Sequence, residues 1–292
     1  MLRHTIIPLP AEVVPAEAGK KLEGLRLHLA GMEGAVIAFS GGVDSSLLLK
    51  VAVDVLGSRA IAFLAVSASL PAQEREDAVQ LASSLGSRIA LVETDEVADP
   101  LYAANPANRC FHCKDHVYAA LHAFAQTQGI PHVLDGMNAE DTLDIRPGRA
   151  AAKKHGVTSP LHELGFTKAD VRAAARHLGL PNWDKPAAAC LSSRIPYGTA
   201  VTSPLLARIE AAESFVRSLG FRELRVRHHG DIARLEVPAS SFACALERQA
   251  ELLGGLKSLG WTYVTLDLEG LSQGSMNKVL KAVRPPTHQD KP

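Results

Sequence analysis

The sequence predicts an α/β protein, a parallel sheet with helices on both faces, followed by a small α+β domain. Three observations predict it. Apolar strand-like runs alternate with helical stretches over residues 1–183. A glycine turn, S-G-G-V-D-S, joins the apolar run at 35–39 to the helix behind it. Over residues 184–292 the order changes to helix, two strands around a Gly-Asp turn, helix and strand, which reads as a smaller domain with an antiparallel hairpin.

Each element has its local reason. Leu22, Leu25 and Leu29 recur on one face of a helix over 16–32, which covers the sheet. Residues 35–39 (AVIAF) form the first strand, 40–44 the turn, and leucines and valines at helical spacing fill 45–55. Residues 60–66 (AIAFLAV) are continuously apolar, as in a strand buried on both sides. Ser69 and Pro71 open a helix that runs to residue 85. A strand at 88–92, a helix over 111–126 and a strand at 132–135 follow. Ligands of such sheets bind beyond the carboxyl ends of the strands, where the loops at Ser40, Ser67 and Gly136 lie. Thr167 and Asp170 form a capping-box start to a helix that ends near Leu178, closed by Gly179, Pro181 and Asn182. Past the domain boundary come a long loop, a helix over 204–219, a strand at 222–228, the Gly230-Asp231 turn, a strand at 232–237, a helix over 240–256 and a strand at 263–268. The proline-rich stretch before Ala16 is expected on the surface, and disordered character is confined to the polar tail after Arg284.

Composition narrows the function. Lys plus Arg equals Asp plus Glu, 31 each, so no overall field favours nucleic acid or an anionic membrane. No apolar run reaches the length of a membrane span, and the N-terminus lacks a charged start followed by an apolar stretch and cleavage site, so a cytoplasmic enzyme acting on a small molecule is expected. Four cysteines, Cys110, Cys113, Cys190 and Cys244, are too few and too unevenly placed for a secreted disulfide framework.

The glycine turn is built for an anion. Backbone N–H groups, the hydroxyls of Ser40, Ser45 and Ser46 and the positive end of a helix dipole converge there, and Gly41 and Gly42 let a phosphate approach the backbone. It is neither a Walker loop nor a dinucleotide fingerprint. Asn138 and Asp141 are candidates for ribose or Mg²⁺, and Asp44 for the metal against pyrophosphate, since Mg²⁺ takes hard oxygen ligands. Asp144, Arg146 and Gly148 read as a structural turn fixed by Pro147. Residues 108–114, N-R-C-F-H-C-K, carry a C-x-x-C pair with the spacing of a redox dithiol, half a zinc site or two thiolates of an iron–sulfur cluster. No second pair completes a zinc knuckle, and Cys190 as a third thiolate suits a 4Fe–4S cluster with one open iron. Arg109 and Lys114 are expected to stabilise thiolate charge, and Arg194, four positions past Cys190, makes that cysteine a candidate reactive thiol. Arg225 and Arg227 fall on one strand face and suit a mononucleotide phosphate. Adjacent His228 and His229 point oppositely and read as structural, and Cys244 as a packing residue.

The turn resembles the pyrophosphate loop of the PP-loop ATP pyrophosphatases, which have an adenine nucleotide alpha hydrolase-like fold, split ATP into AMP and pyrophosphate and activate an oxygen as its adenylate. Together with NRCFHCK, LDGMNAEDTLDIRPGRAA, GVTSPL, ACLSSRIPYG and VRHHGDIARLEV, in that order over residues 34–237, it resembles the LarE family of ATP-dependent sulfur transferases. The resemblance implies adenylation of a carboxylate of pyridinium-3,5-dicarboxylate mononucleotide and displacement of AMP by sulfur, toward the nickel-pincer cofactor of lactate racemase. It implies an ATP site at Ala38, Phe39, Ser40, Gly41, Gly42, Asp44, Ser45, Ser46, Gly136 and Asn138, with Mg²⁺ on Asp44 and Asp141. It also implies catalytic Cys190, Ser193, Arg194 and Glu213, a substrate phosphate site at Arg225 and Arg227, a separate sulfur donor and a homo-oligomer. Of the family's two sulfur sources, a sacrificed single cysteine or a sulfide on a 4Fe–4S cluster, Cys110, Cys113 and Cys190 resemble the cluster version. A PP-loop tRNA thiolase is the nearest rival, without the basic surface it needs; an amide-forming synthetase of the NAD or GMP type leaves the cysteines without a purpose.

Overall fold

The structure, a computed structural model, describes residues 14–142, 148–186, 189–272 and 274–279. Most of the proline-rich start, the turn at 144–147 and the tail after Arg284 lie outside the described residues.

Consecutive residues of a strand point to opposite faces of its sheet, so a strand buried at nearly every position is covered on both sides. That holds for β1 (Ala35–Ala38) and β2 (Ala60–Val66), whose residues through Leu64 are buried apart from Ala38. With β3 (Arg88–Glu93) and β4 (His132–Asp135) they form a sheet of order β3-β2-β1-β4. β1 runs parallel to both neighbours, with Ile37 paired to Ala62 and to Leu134. β3, at the edge, alternates exposed and half-buried residues over most of its length, as a strand covered on one side should.

The helices before residue 183 are α1 (Ala16–Ala30), α2 (Val43–Leu56), α3 (Ala72–Ser84), α4 (Pro100–Ala103), α5 (Arg109–Thr127), α6 (Gly148–Lys154), α7 (Pro160–Glu163) and α8 (Lys168–His177). α1, α2 and α8 pack on one another, α1 through the buried face of Ala18, Leu22, Leu25 and Leu29. Phe124 of α5 packs on Phe63 of β2 with ring centroids 5.7 Å apart. The capping box of α8 is formed: Asp170 N donates to Thr167 Oγ1 at 3.1 Å, and Thr167 N donates to Asp170 Oδ2 at 2.9 Å. A cap of this kind stabilises its helix by about 1 kcal/mol.

The rest of the chain forms α9 (Ser203–Ser218), β5 (Arg225–His229), β6 (Ile232–Glu236), α10 (Phe242–Glu247), α11 (Gln249–Ser258) and β7 (Tyr263–Leu266). β5 and β6 pair antiparallel around Gly230, whose φ of 61° suits glycine, and β7 joins β6 in parallel after the α10–α11 crossover. α9 packs on β5 and α11 on α9 and β7, enclosing a core that includes Leu206, Ile209, Val216, Val226, Leu235, Leu256 and Trp261. The helix expected over 240–256 is interrupted at Arg248, where neither glycine nor proline announces a break. Cys244 is exposed rather than packed, because the buried position of α10 is its neighbour Ala245.

The chain divides into two compact units. One comprises Met1–Ala65, Glu76–Val92 and Tyr118–Ala187; the other comprises Val66–Arg75, Glu93–Val117 and Ala188–Pro292. The second unit therefore takes, besides Ala188–Pro292, which begins a few residues past the expected boundary at 183, the segments that follow β2 and β3. Cys110, Cys113 and Cys190 fall in the same unit.

Candidate active site

In the first unit the β1–α2 turn folds back on its own hydroxyls. Ser40 N donates to Ser45 Oγ at 3.2 Å, Gly42 N to Ser40 Oγ at 3.4 Å, and the Ser45 and Ser46 hydroxyls donate to Gly42 O at 3.1 and 2.8 Å. Phe39 N, at the end of Ala38 and β1, donates to Phe63 O at 2.8 Å and fixes where the turn begins. Gly41 has φ of 70°, and a Cβ there would stand 3.0 Å from that of Ala78 on α3. Gly136, after β4, admits no side chain: a Cβ would lie 2.7 Å from Ser45 N. Strand β4 thus closes directly on the first turn of α2, whose N–H groups and dipole attract an anion.

Two carboxylates stand at this turn. Asn138, fully buried, donates through Nδ2 to Asp44 Oδ1 at 2.7 Å, and its Oδ1 accepts from the N–H groups of Glu140 and Asp141. Burial raises the Asp44 carboxyl above its ordinary value; the Asn138 bond opposes this, and the nearby charge of Asp141 adds to it. Among the described residues no group of three or more His, Cys, Asp or Glu is arranged to hold a metal. Mg²⁺ does not need one, since it takes one or two carboxylates and completes its shell with phosphate oxygens and water. Asp44 and Asp141 fit that requirement. Residues absent from the expected set also serve the turn: Asn182 Nδ2 donates to Gly41 O and Ser46 Oγ, both at 3.0 Å, and Asp135 is held by Tyr118 and Ser159. A polar residue after a helix end carries no sequence signal that it reaches back to another loop.

In the second unit Cys110 and Cys190 are exposed and Cys113 packs against the core. Burial pushes the Cys113 thiol far up, followed by the negative charge of Glu96 and then of Cys190 and Cys110; Arg109 acts the other way and is weaker. Arg109 thus acts on the Cys113 thiol in the expected direction, favouring the thiolate, but desolvation outweighs a single cation. Cys190 and Cys110 each lie within electrostatic reach of Cys113. As a donor set they suit an iron–sulfur cluster, three thiols with one half-buried, although no ready-made metal group is present among the described residues.

Arg194 and Glu213 form a buried two-point pair, Nε to Oε1 at 2.8 Å and Nη2 to Oε2 at 3.1 Å. Arg194 Nη1 donates to Ala189 O, Cys190 O and Ser193 Oγ. Its guanidinium therefore holds the backbone of the Cys190 loop, and Glu213 also receives Val226 N from β5. Arg225 and Arg227 do share a face, but differ in environment. Arg227 is 2% exposed and donates to Glu236, Ser275 and Ser193 O. Arg225, half-buried, donates from Nη1 to Ser272 O at 3.1 Å, and burial with the like charges of Arg227 and Arg194 lowers its pKa.

A family model for NAD synthase matches residues 20–115. Over 253 residues, 86% of this chain and 92% of the relative, the sequence is 41% identical to the pyridinium-3,5-bisthiocarboxylic acid mononucleotide synthase of Lactiplantibacillus plantarum. The chain belongs to the LarE family. An uncharacterized protein of Synechocystis sp. is 46% identical over 262 residues, 89% of this chain and 98% of its own length. The NH(3)-dependent NAD(+) synthetase of Methanococcoides burtonii is 36% identical over 89 residues, 30% of this chain and 32% of its own. The LarE match thus runs through both compact units, and the NAD synthase model ends soon after Cys113. Membership in this PP-loop family implies ATP and Mg²⁺ as ligands. No helix among the described residues is long and apolar enough to cross a membrane.

Proposed function

We propose that this LarE-family chain is an ATP-dependent sulfur transferase that converts the carboxylates of pyridinium-3,5-biscarboxylic acid mononucleotide to thiocarboxylates, for nickel-pincer cofactor synthesis. The observation that carries the reading is the 41% identity to the named synthase over nearly the whole of both chains. The turn at residues 40–46 and the N-terminus of α2 receive the ATP phosphates, and Asp44 and Asp141 are the residues that would hold Mg²⁺, which when bound neutralises phosphate charge. A substrate carboxylate oxygen attacks the α-phosphorus, the bond to the β-phosphate oxygen breaks, and pyrophosphate leaves. Positioning and neutralisation of charge on the phosphate oxygens do most of this work. A sulfur nucleophile then attacks the acyl adenylate carbonyl, and AMP departs with the oxygen it was bonded through. Arg225 faces the substrate phosphate, while Arg227, Arg194, Ser193 and Glu213 hold the surrounding loops.

Cys110, Cys113 and Cys190 are the residues that would hold a 4Fe–4S cluster, which when bound supplies the transferable sulfide. Protein purified without oxygen is then brown, and Cys110→Ala loses colour, iron and most turnover. A colourless, iron-free and fully active protein would eliminate the cluster and leave Cys190 as the donor. The NAD synthase match favours a second reading, amide formation, but it reaches only residues 20–115. Supplying sulfide or ammonium to the enzyme with ATP and the dicarboxylate separates them: the sulfur reading expects AMP and a thiocarboxylate only with sulfide, and an amide product would reject it.

A further inference from the structure

Three hydroxyl groups in the second unit close a ring. Ser69 Oγ lies 2.7 Å from Tyr102 Oη and 2.9 Å from Ser192 Oγ, and Tyr102 Oη lies 2.6 Å from Ser192 Oγ. All three side chains are buried, at 3%, 1% and 0% exposure. Each hydroxyl has one proton and spare acceptor capacity, so each can donate once and accept once around the ring, leaving no donor unsatisfied.

The ring joins three separate stretches of chain. Ser69 follows β2, Tyr102 is on α4, and Ser192 is two residues past Cys190. Further bonds make the same junction. Leu191 N donates to Ser69 O at 2.9 Å, and Arg109 Nη1, at the start of α5, donates to Ser192 O at 3.0 Å and to Asn105 Oδ1. Asn105, the only described non-glycine residue with positive φ, uses its Nδ2 on the carbonyls of Pro196 and Thr199 at 2.8 and 3.0 Å. Arg109 immediately precedes Cys110, so the Cys190 loop is tied at Ser192 to the helix turn that begins the C-x-x-C pair, and at Leu191 to Ser69 after β2.

We infer that Ser69, Tyr102 and Ser192 are positioning residues for sulfur transfer: their hydroxyl ring holds the Cys190 loop in register with the turn of α5 that carries Cys110 and Cys113. The inference rests on the sulfur-transferase reading and names the device that assembles its sulfur half. A core requires only that these groups be buried. It does not require three hydroxyls to meet, when Phe and Ala would pack without needing polar partners.

Tyr102→Phe removes one oxygen and leaves the ring of carbon atoms in place. The expected result is unchanged pyrophosphate release and KM for ATP in a single turnover, with thiocarboxylate formation slowed about tenfold or more. Hydrogen exchange at the Leu191 amide should speed up about tenfold. Ser192→Ala should do the same, Ser192→Thr should restore transfer because it keeps the hydroxyl, and the Tyr102→Phe/Ser192→Ala pair should lose little more than either alone, since both break one ring. Equal losses in pyrophosphate release and sulfur transfer, or full transfer in Tyr102→Phe, would overturn the inference. If Tyr102→Phe fails to fold, Ser192→Ala against Ser192→Thr decides. The Leu191 exchange readout needs no substrate: accelerated exchange without any thiocarboxylate from the unaltered protein would defeat the functional reading, and unaccelerated exchange would defeat the ring.

Discussion

A single methyl group tests the nucleotide turn. At Gly136 an added Cβ would meet Ser45 N at 2.7 Å and Ser45 Cα at 2.8 Å, backbone atoms that cannot swing aside. Gly136→Ala is therefore expected to push β4 away from α2 and cut ATP-dependent pyrophosphate release by tenfold or more, about the effect of a small displacement in a positioned site; wild-type kinetics would mean the turn tolerates the shift. The two strand arginines separate in the same way. Arg227→Met removes one of two arginines on buried Glu236, leaving it the half-buried Arg234 and the Ser275 hydroxyl, and should destabilise the protein by about 1.5–3 kcal/mol in urea unfolding. Arg225→Met should cost about 1 kcal/mol or less and instead weaken binding of the mononucleotide. Equal stability losses in both would remove the distinction. The glycines and serines of the turn were legible because their chemistry is local to six consecutive residues. The burial of Arg227 was not, since alternation along a strand fixes which face a residue takes and says nothing of the layer laid over it. Arg194 likewise reads as a thiol's neighbour in sequence, whereas its fork closes on Glu213 nineteen positions later, through a helix that the sequence does not orient.

Between β5 and the turn before β7, Trp261 Nε1 donates to His228 Nδ1 at 3.2 Å, which requires that nitrogen to be unprotonated. Burial, then the charge of Arg208, which lies over the Trp261 ring at 3.8 Å, lowers the His228 pKa from 6.5. Burial, then Arg234, does the same at His229. Both histidines bind protons less readily folded than unfolded, so their contribution to stability is present above the ordinary histidine range and declines as pH falls below 6.5 toward the folded values. The thermal midpoint should drop between about pH 7.5 and 5.5, and His228→Gln should flatten that slope; a midpoint level across the window would refute the assignment. Elements with local signals were legible from sequence: the capping box of α8, the continuous apolar run of β2, the Gly230 turn. The short helices α4, α6 and α7 and the break at Arg248 were not. α4 and α7 each open on a capping residue and a proline, and α6 on Gly148, but at four to seven residues none is long enough to show a periodicity, and at Arg248 no glycine or proline marks the break, so tertiary packing decides them.

At the scale of the molecule, the parallel sheet and its helices follow from alternating patterns that each span one element. A linear reading places the domain boundary between neighbouring residues, at 183 and 184. The segments Val66–Arg75 and Glu93–Val117 group with the second unit because their contacts are with residues more than eighty positions later, such as Ser69 and Tyr102 with Ser192. That interleaving is what sets all three cysteines of the motif in one unit. The LarE match, over 86% of this chain, is what suggests the proposed substrate, which neither pattern nor packing contains. The most direct test is an anaerobic single turnover with ATP and pyridinium-3,5-biscarboxylic acid mononucleotide, followed by mass spectrometry of the nucleotide product. One AMP formed for each oxygen replaced by sulfur is the predicted result. ATP cleaved with the dicarboxylate recovered unchanged, or converted to an amide, would contradict it.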